Sequence, residues 1–164
     1  MNIILIGMMG SGKSTIASEL SKRLELDLID IDSIIEKTND MSIKDMFDKY
    51  GEEHFRKLEK ALFLELADRK NSIISTGGGA ILNDALEPFE TQNIIYLKWS
   101  INGLLSNLTN KVDNRPLLNQ ASLEEKLIDI YELRKDLYER WAKHIIDCDN
   151  KSVDEVVMSI LKVI

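Results

Sequence analysis

Gly7-Met8-Met9-Gly10-Ser11-Gly12-Lys13-Ser14 fills every fixed position of the pattern G-x-x-x-x-G-K-[ST]. The octet follows Ile3-Ile4-Leu5-Ile6, an apolar run of strand length, and precedes Thr15-Ile16-Ala17-Ser18-Glu19-Leu20, which reads as a helix. Few features constrain a fold more, because a strand must end where a helix begins with glycines between them. The glycines let the backbone curl so that successive N–H groups point at one phosphate. The helix N-terminus adds its partial positive charge. Lys13 is placed to reach the outer phosphates, and the Ser14 hydroxyl is suited to Mg²⁺. The competing reading, an ordinary glycine turn, leaves the lysine and serine unexplained.

The rest of the chain repeats the alternation. Strand patterns fall at Asn2–Ile6, Leu28–Ile31, Ser72–Ser75, Asn93–Lys98 and His144–Asp147. Helical patterns fall at Lys13–Leu24, from Ser33 to Lys37, at Ser42–Tyr50, Glu52–Arg69, Ile101–Leu108, Leu123–Lys143 and Ser152–Val163. Thr109–Gln120 is polar and holds Pro116, so it reads as a mobile loop. Five strands alternating with helices predict an α/β fold with three layers, α/β/α, around a five-stranded parallel sheet. Ligands in such folds sit at the carboxyl ends of the strands. No repeat, linker or low-complexity stretch divides residues 1–164, so one domain is expected.

Composition narrows the partners. The chain has 164 residues, 44% of them hydrophobic and 30% charged, so one sizeable core is expected. Acidic residues number 28 against 21 basic ones, a formal charge of −7 that argues against nucleic acid. No apolar run is long enough to span a bilayer, and no basic leader or cleavage motif precedes the first strand. Cys148 is the only cysteine, so no internal disulfide can form. A reducing cytoplasm is the expected location, with no membrane partner.

Residues just after the strands carry the chemistry. Asp30-Ile31-Asp32 ends the second strand, and alternation in an extended segment predicts both carboxylates on one side. Two carboxylates beside a phosphate loop suit Mg²⁺ binding and the orientation or deprotonation of an acceptor hydroxyl. That Asp32 merely caps the next helix is the competing reading, and the phosphate loop tips the balance toward function. Gly77-Gly78-Gly79 after the third strand are more glycines than a turn needs, and they offer bare backbone to a ligand.

Three arginines stand out. Arg134 lies in the apolar stripe Leu123, Leu127, Ile130, Tyr131, Leu137, Tyr138, Trp141, where a guanidinium needs an anion, either a structural carboxylate or a ligand. Arg56 has Glu59 three residues on, as a surface pair or as the brace of a ligand-binding arginine. Phe47 and Phe55 flank it as core residues able to wall a pocket. Arg115 lies in the polar loop, from which it can close over a transferring phosphoryl group. His54, His144, Cys148, Trp99 and the methionines form no metal or nucleophile pattern and read as packing or surface.

This set resembles the shikimate kinase family, small kinases of the P-loop fold. The matching pieces are G-M-M-G-S-G-K-S, L-I-D-I-D-S-I-I, F-D-K-Y-G-E-E-H-F-R-K-L-E, S-T-G-G-G, R-P-L-L and L-R-K-D-L-Y, running in the family's order from residue 2 to about 150. The resemblance implies phosphorylation of the 3-hydroxyl of shikimate by ATP, a Mg²⁺ cofactor, a monomer and a mobile lid over about 109–121. It implies that Gly10, Ser11, Gly12, Lys13, Ser14, Thr15 and Arg115 bind ATP. Ser14 and Asp30 would hold the metal. Lys13, Asp32 and Arg115 would be catalytic, with Asp32 holding the acceptor hydroxyl. Arg56 and Arg134 would clamp the substrate carboxylate, while Gly77, Gly78 and Gly79 offer it N–H groups. The family often stacks a second basic lid residue on adenine, and only Lys111 is available here. The loop Asp149-Asn150-Lys151-Ser152 matches the family's adenine-side loop loosely.

Two rivals remain at this level. A kinase of gluconate or of a nucleoside monophosphate shares the phosphate loop and the paired aspartates. A small GTPase would explain Asn110-Lys111-Val112-Asp113 as N-K-x-D and Asp48-Lys49-Tyr50-Gly51 as D-x-x-G. Both of those motifs should follow strands, and here both follow helical patterns.

Overall fold

The computed structural model describes residues 2–82, 84–110 and 118–164. Five strands, β1 (Asn2–Ile6), β2 (Asp27–Asp30), β3 (Ser72–Ser75), β4 (Asn93–Lys98) and β5 (His144–Asp147), form one parallel sheet in the order β2-β3-β1-β4-β5. The helices are α1 (Lys13–Leu24), α2 (Ile31–Asn39), α3 (Ile43–Tyr50), α4 (Glu52–Leu66), α5 (Ile101–Asn110), α6 (Leu118–Trp141) and α7 (Val153–Leu161).

β1 is the middle strand, so its side chains divide between two cores. Ile3 and Leu5 face Ile16, Ala17 and Leu20 of α1 and Val156, Val157 and Ile160 of α7. Ile4 and Ile6 face the opposite cluster, with Phe55 and Phe63 of α4 and Leu127 and Tyr138 of α6. Alternation along one strand thus supplies both layers. The chain leaves β1 for β2 and β3 on one side, then crosses to β4 on the other. The crevice at that crossover opens beyond the carboxyl end of β1, where the glycine loop lies.

Several boundaries differ from the sequence expectation. β2 ends at Asp30, and α2 already begins at Ile31. Asp30 is extended (φ −104°, ψ 112°), and its side chain accepts from Ser33 N at 3.0 Å. Asp30 therefore caps the helix and Asp32 lies in its first turn, so strand alternation does not relate the two carboxylates. The capping bond satisfies an otherwise orphaned helix N–H, which is why the helix starts early. Ser42 caps α3 as expected, accepting from Asp45 N at 3.1 Å. Asp48–Tyr50 form the last turn of that helix, a setting unlike that of a strand-borne D-x-x-G. α4 stops at Leu66, short of Arg69. α5 continues to Asn110 and α6 starts at Leu118, so the expected 109–120 loop is helical at both ends. Residues 111–117, with Lys111, the remainder of N-K-x-D and Arg115, lie outside the described residues.

Candidate active site

The loop between β1 and α1 is shaped by its glycines and by its lysine. Gly10 and Gly12 take left-handed φ values of 78° and 79°, a region a side chain would disfavour. Lys13, only 9% exposed, turns its ammonium back onto the loop and donates to Gly7 O at 2.8 Å, Met8 O at 2.9 Å and Ser11 Oγ at 3.2 Å. Two residues that read as packing or loop-side helix also hold the loop. Trp99 Nε1 donates to Ser11 O at 3.1 Å, and Asn107 Nδ2 of α5 donates to Gly10 O at 2.9 Å. Sequence reading missed both, because no local pattern reveals that a side chain some ninety residues away meets a loop carbonyl.

Two clefts meet at this loop. One, of about 420 Å³, is lined by Gly10, Gly12 and Thr15 with Trp99, Asn107, Lys151 and Ser152. Lys151 and Ser152 of the expected adenine-side loop do reach it. Asp149 instead turns its carboxylate to Ser100, accepting from the Ser100 N and Oγ at 3.0–3.2 Å. Cys148 also lines this cleft, buried, and burial pushes its thiol up to about 12. The thiol stays protonated, as expected of a packing residue.

The second cleft, of about 340 Å³, runs past Lys13 and Ser14 to Asp30, Asp32, Thr76 and Gly78. Both aspartates line it despite their corrected placement. Ser14 Oγ donates to Asp30 Oδ2 at 3.0 Å, which joins the start of α1 to the cap of α2. A hydroxyl and a carboxylate side by side are hard oxygen donors. They fit Mg²⁺, which retains waters and takes one or two protein groups beside phosphate oxygens. No cluster of three or more metal-type side chains occurs among the described residues.

Asp32 presents an unsatisfied acceptor. Its Oδ1 is buried and meets no hydrogen-bond donor among the described residues. Burial raises its pKa above the ordinary carboxylate value, and the Asp30 charge adds to this, against the pull of Lys13 and Arg56.

Glu59 repeats the theme more deeply. On the buried face of α4 it is 1% exposed, its Oε1 has no partner among the described residues, and burial raises its pKa. Its other oxygen accepts from Arg56 Nη1 at 2.7 Å. Arg56 also donates through Nε and Nη2 to Glu52 Oε1 at 3.1 and 3.0 Å. The Arg56–Glu59 pair is therefore buried, and the surface alternative falls. Burial pulls the Arg56 pKa down, and Glu59 and Glu52 together more than offset it.

The glycine run explains itself against these charges. None of the three glycines after β3 has a left-handed φ. A Cβ on Gly79 would lie 2.1 Å from Arg56 Nη2, and one on Gly77 would lie 2.8 Å from Asp32 Oδ1. Gly77 and Gly79 thus leave room for neighbouring charged side chains, whereas a Cβ on Gly78 would meet nothing closer than 3.5 Å. Gly78 O meets the apolar stripe of α6, accepting from Arg134 Nη1 at 3.1 Å and from the Tyr138 hydroxyl. The odd cation of that stripe thus meets a backbone carbonyl.

Comparison with known proteins gives the family. The sequence profile of the shikimate kinase family matches residues 9–164. A shikimate kinase of Caldanaerobacter subterraneus subsp. tengcongensis is 37% identical over 163 residues, covering 98% of this chain and 94% of that one. A shikimate kinase of Clostridium botulinum is 42% identical over 166 residues, with coverage of 98% and 94%. The structure of the Acinetobacter baumannii shikimate kinase in complex with shikimate superposes with a TM-score of 0.88 at 32% identity, covering 99% of this chain and 91% of that one. With a family profile matched over residues 9–164 and near-complete coverage by relatives of this identity, the chain belongs to the shikimate kinase family.

Proposed function

We propose that this chain transfers the γ-phosphoryl group of ATP to the 3-hydroxyl of shikimate, giving shikimate 3-phosphate and ADP. The observation that carries the reading is the buried carboxylate of Asp32, with one oxygen unpartnered among the described residues, between the phosphate loop and a wall bearing Arg56 and Arg134. A donor site beside an acceptor for a hydroxyl, and next to that two guanidinium groups, describes a kinase of a small hydroxy acid. Cytoplasmic location and action as a monomer belong to the same proposal. No helix among the described residues is long and apolar enough to cross a membrane.

The donor half consists of the Gly10–Thr15 backbone, the α1 N-terminus and Lys13. The Lys13 ammonium, shared among loop oxygens, is redirected to the more strongly charged phosphate oxygens when nucleotide binds. Ser14 and Asp30 would hold Mg²⁺, and the chemistry it would supply there is neutralisation of charge on the phosphate oxygens. In the acceptor half, Asp32 takes a hydrogen bond from the acceptor hydroxyl and orients it in line with the γ-phosphorus. Its raised pKa makes it a better proton acceptor than an ordinary carboxylate. Arg56, held rigid by Glu52 and Glu59, and Arg134 grip the carboxylate of the acid, a task suited to planar guanidinium groups.

A coupled ADP-release assay with shikimate, gluconate and nucleoside monophosphates tests the reading. Turnover is expected on shikimate, and none on shikimate overturns it. Arg134→Ala is expected to raise KM for the acid about 10- to 150-fold, the equivalent of a charged hydrogen bond of roughly 1.5–3 kcal/mol. A loss falling mainly on ATP affinity or thermal stability would contradict the carboxylate role. Gly79→Ala should behave alike for a different reason. Its methyl displaces the Arg56 guanidinium, so KM for the acid rises at least about tenfold while KM for ATP holds. An unchanged KM for the acid would show that Arg56 tolerates the shift.

A further inference from the structure

We propose that Tyr138 is a positioning residue of the acid site, the anchor that keeps the Gly78 carbonyl in place when Arg134 turns to the substrate. This rests on the reading of Arg134 given above.

Arg134 and Tyr138 lie four residues apart on α6, hence on one helix face, and both donate to Gly78 O. A carbonyl oxygen has two lone pairs, so both bonds can coexist. The two donors differ in mobility. The Arg134 side chain is long and half-buried. The Tyr138 side chain is fully buried, and its ring stacks on Tyr96 with centroids 4.9 Å apart and planes 12° from parallel. A carboxylate outcompetes a neutral carbonyl for a guanidinium. When an acid binds, Arg134 is therefore the donor that leaves. Without Tyr138 its departure would leave a half-buried acceptor without a protein donor, a cost that substrate binding would have to offset.

The peptide linking Gly78 to Gly79 is planar and trans, so fixing its carbonyl fixes the Gly79 N–H on the side away from α6. The amides of Gly77, Gly78 and Gly79 donate to no acceptor among the described residues. A run of glycines has no side chains with which to hold itself; Ala80 N and Leu82 N donate to Gly77 O and Gly79 O, and the Tyr138 hydroxyl holds the peptide carbonyl between them. Burial pushes the phenol up to about 12 against the pull of Arg134, and it remains a donor at neutral pH.

The test is Tyr138→Phe, which removes one oxygen and keeps the stacked ring. KM for shikimate is expected to rise about 5- to 30-fold, with KM for ATP within about twofold and Tm within about 3 °C of the parent. An unchanged KM for shikimate overturns the proposal. So does a matched rise in both KM values, or a fall in Tm with both KM values intact, since either marks a merely structural residue. A measurement on the unsubstituted chain guards against a variant that fails to fold. Hydrogen exchange over residues 76–80 should be no faster with saturating shikimate than without it. Faster exchange would mean that the segment is released along with Arg134, contrary to the proposal. Absence of shikimate turnover by the unsubstituted chain would overturn the reaction assignment, and this role with it.

Discussion

Lys13→Ala will lower kcat for phosphoryl transfer by at least about 10³-fold and leave the fold standing. Removing one preorganised donor from an active site costs roughly 10²–10³ in rate, and this donor also carries a full charge toward the transferring group. The acidic chain has few cations here to share the task. The structure adds what happens without nucleotide. The ammonium ties Gly7 O, Met8 O and Ser11 Oγ together, so the alanine variant loses loop order as well as charge. Those three oxygens are buried with the ammonium, so losing their donor costs roughly 1–3 kcal/mol and Tm should fall by about 2–12 °C in a chain of this size. The coupled assay and a thermal melt check both parts. A kcat within tenfold of the parent would remove Lys13 from the catalytic set.

Asp32→Asn will lower kcat by about 10²- to 10⁴-fold, the range for a positioned general base. It will also leave Tm at pH 7.5 unchanged or higher. The second half follows from the direction of the pKa shift. Burial and the Asp30 charge raise the Asp32 pKa. Between the unfolded and folded values the native state binds more protons than the unfolded chain, so stability declines as pH rises through that window. Above it the ionised carboxylate is a standing cost, which asparagine removes. The parent enzyme should lose kcat toward acid with a limb above the ordinary carboxylate range, because protonated Asp32 cannot accept the hydroxyl proton. That limb should vanish in the variant. A variant retaining kcat within tenfold, or one less stable at neutral pH, would show Asp32 to be structural. A residue that impairs stability while serving the reaction is what a functional site produces.

Legibility varied from residue to residue for physical reasons. The phosphate loop was readable because its chemistry depends on adjacent residues, a glycine curl ending in lysine and serine at a helix start. The apolar stripe marked Arg134 because one charge in a 3.6-residue repeat stands out from its own neighbours. Asp32 was placed one element too early, in β2 and not in the first turn of α2, because a capping bond outweighed strand alternation. Glu59 was half read. Its spacing gave the pairing with Arg56, whereas its depth, and hence the rigidity of that arginine, depended on which face of α4 the sheet covers.

What the sequence determined alone was everything set by neighbours along the chain: the alternation of strands and helices, the parallel sheet, the phosphate loop, and the charges that needed an anion. What only the tertiary structure decided was set by residues meeting from afar. Trp99 and Asn107 hold carbonyls of a loop some ninety positions earlier. Tyr138 and Arg134 share one glycine oxygen sixty and fifty-six positions away. Gly77 and Gly79 are glycine because Asp32 and Arg56 occupy the space a side chain would need. Local patterns record what a backbone segment can do by itself, and packing decides which groups from elsewhere it must accommodate.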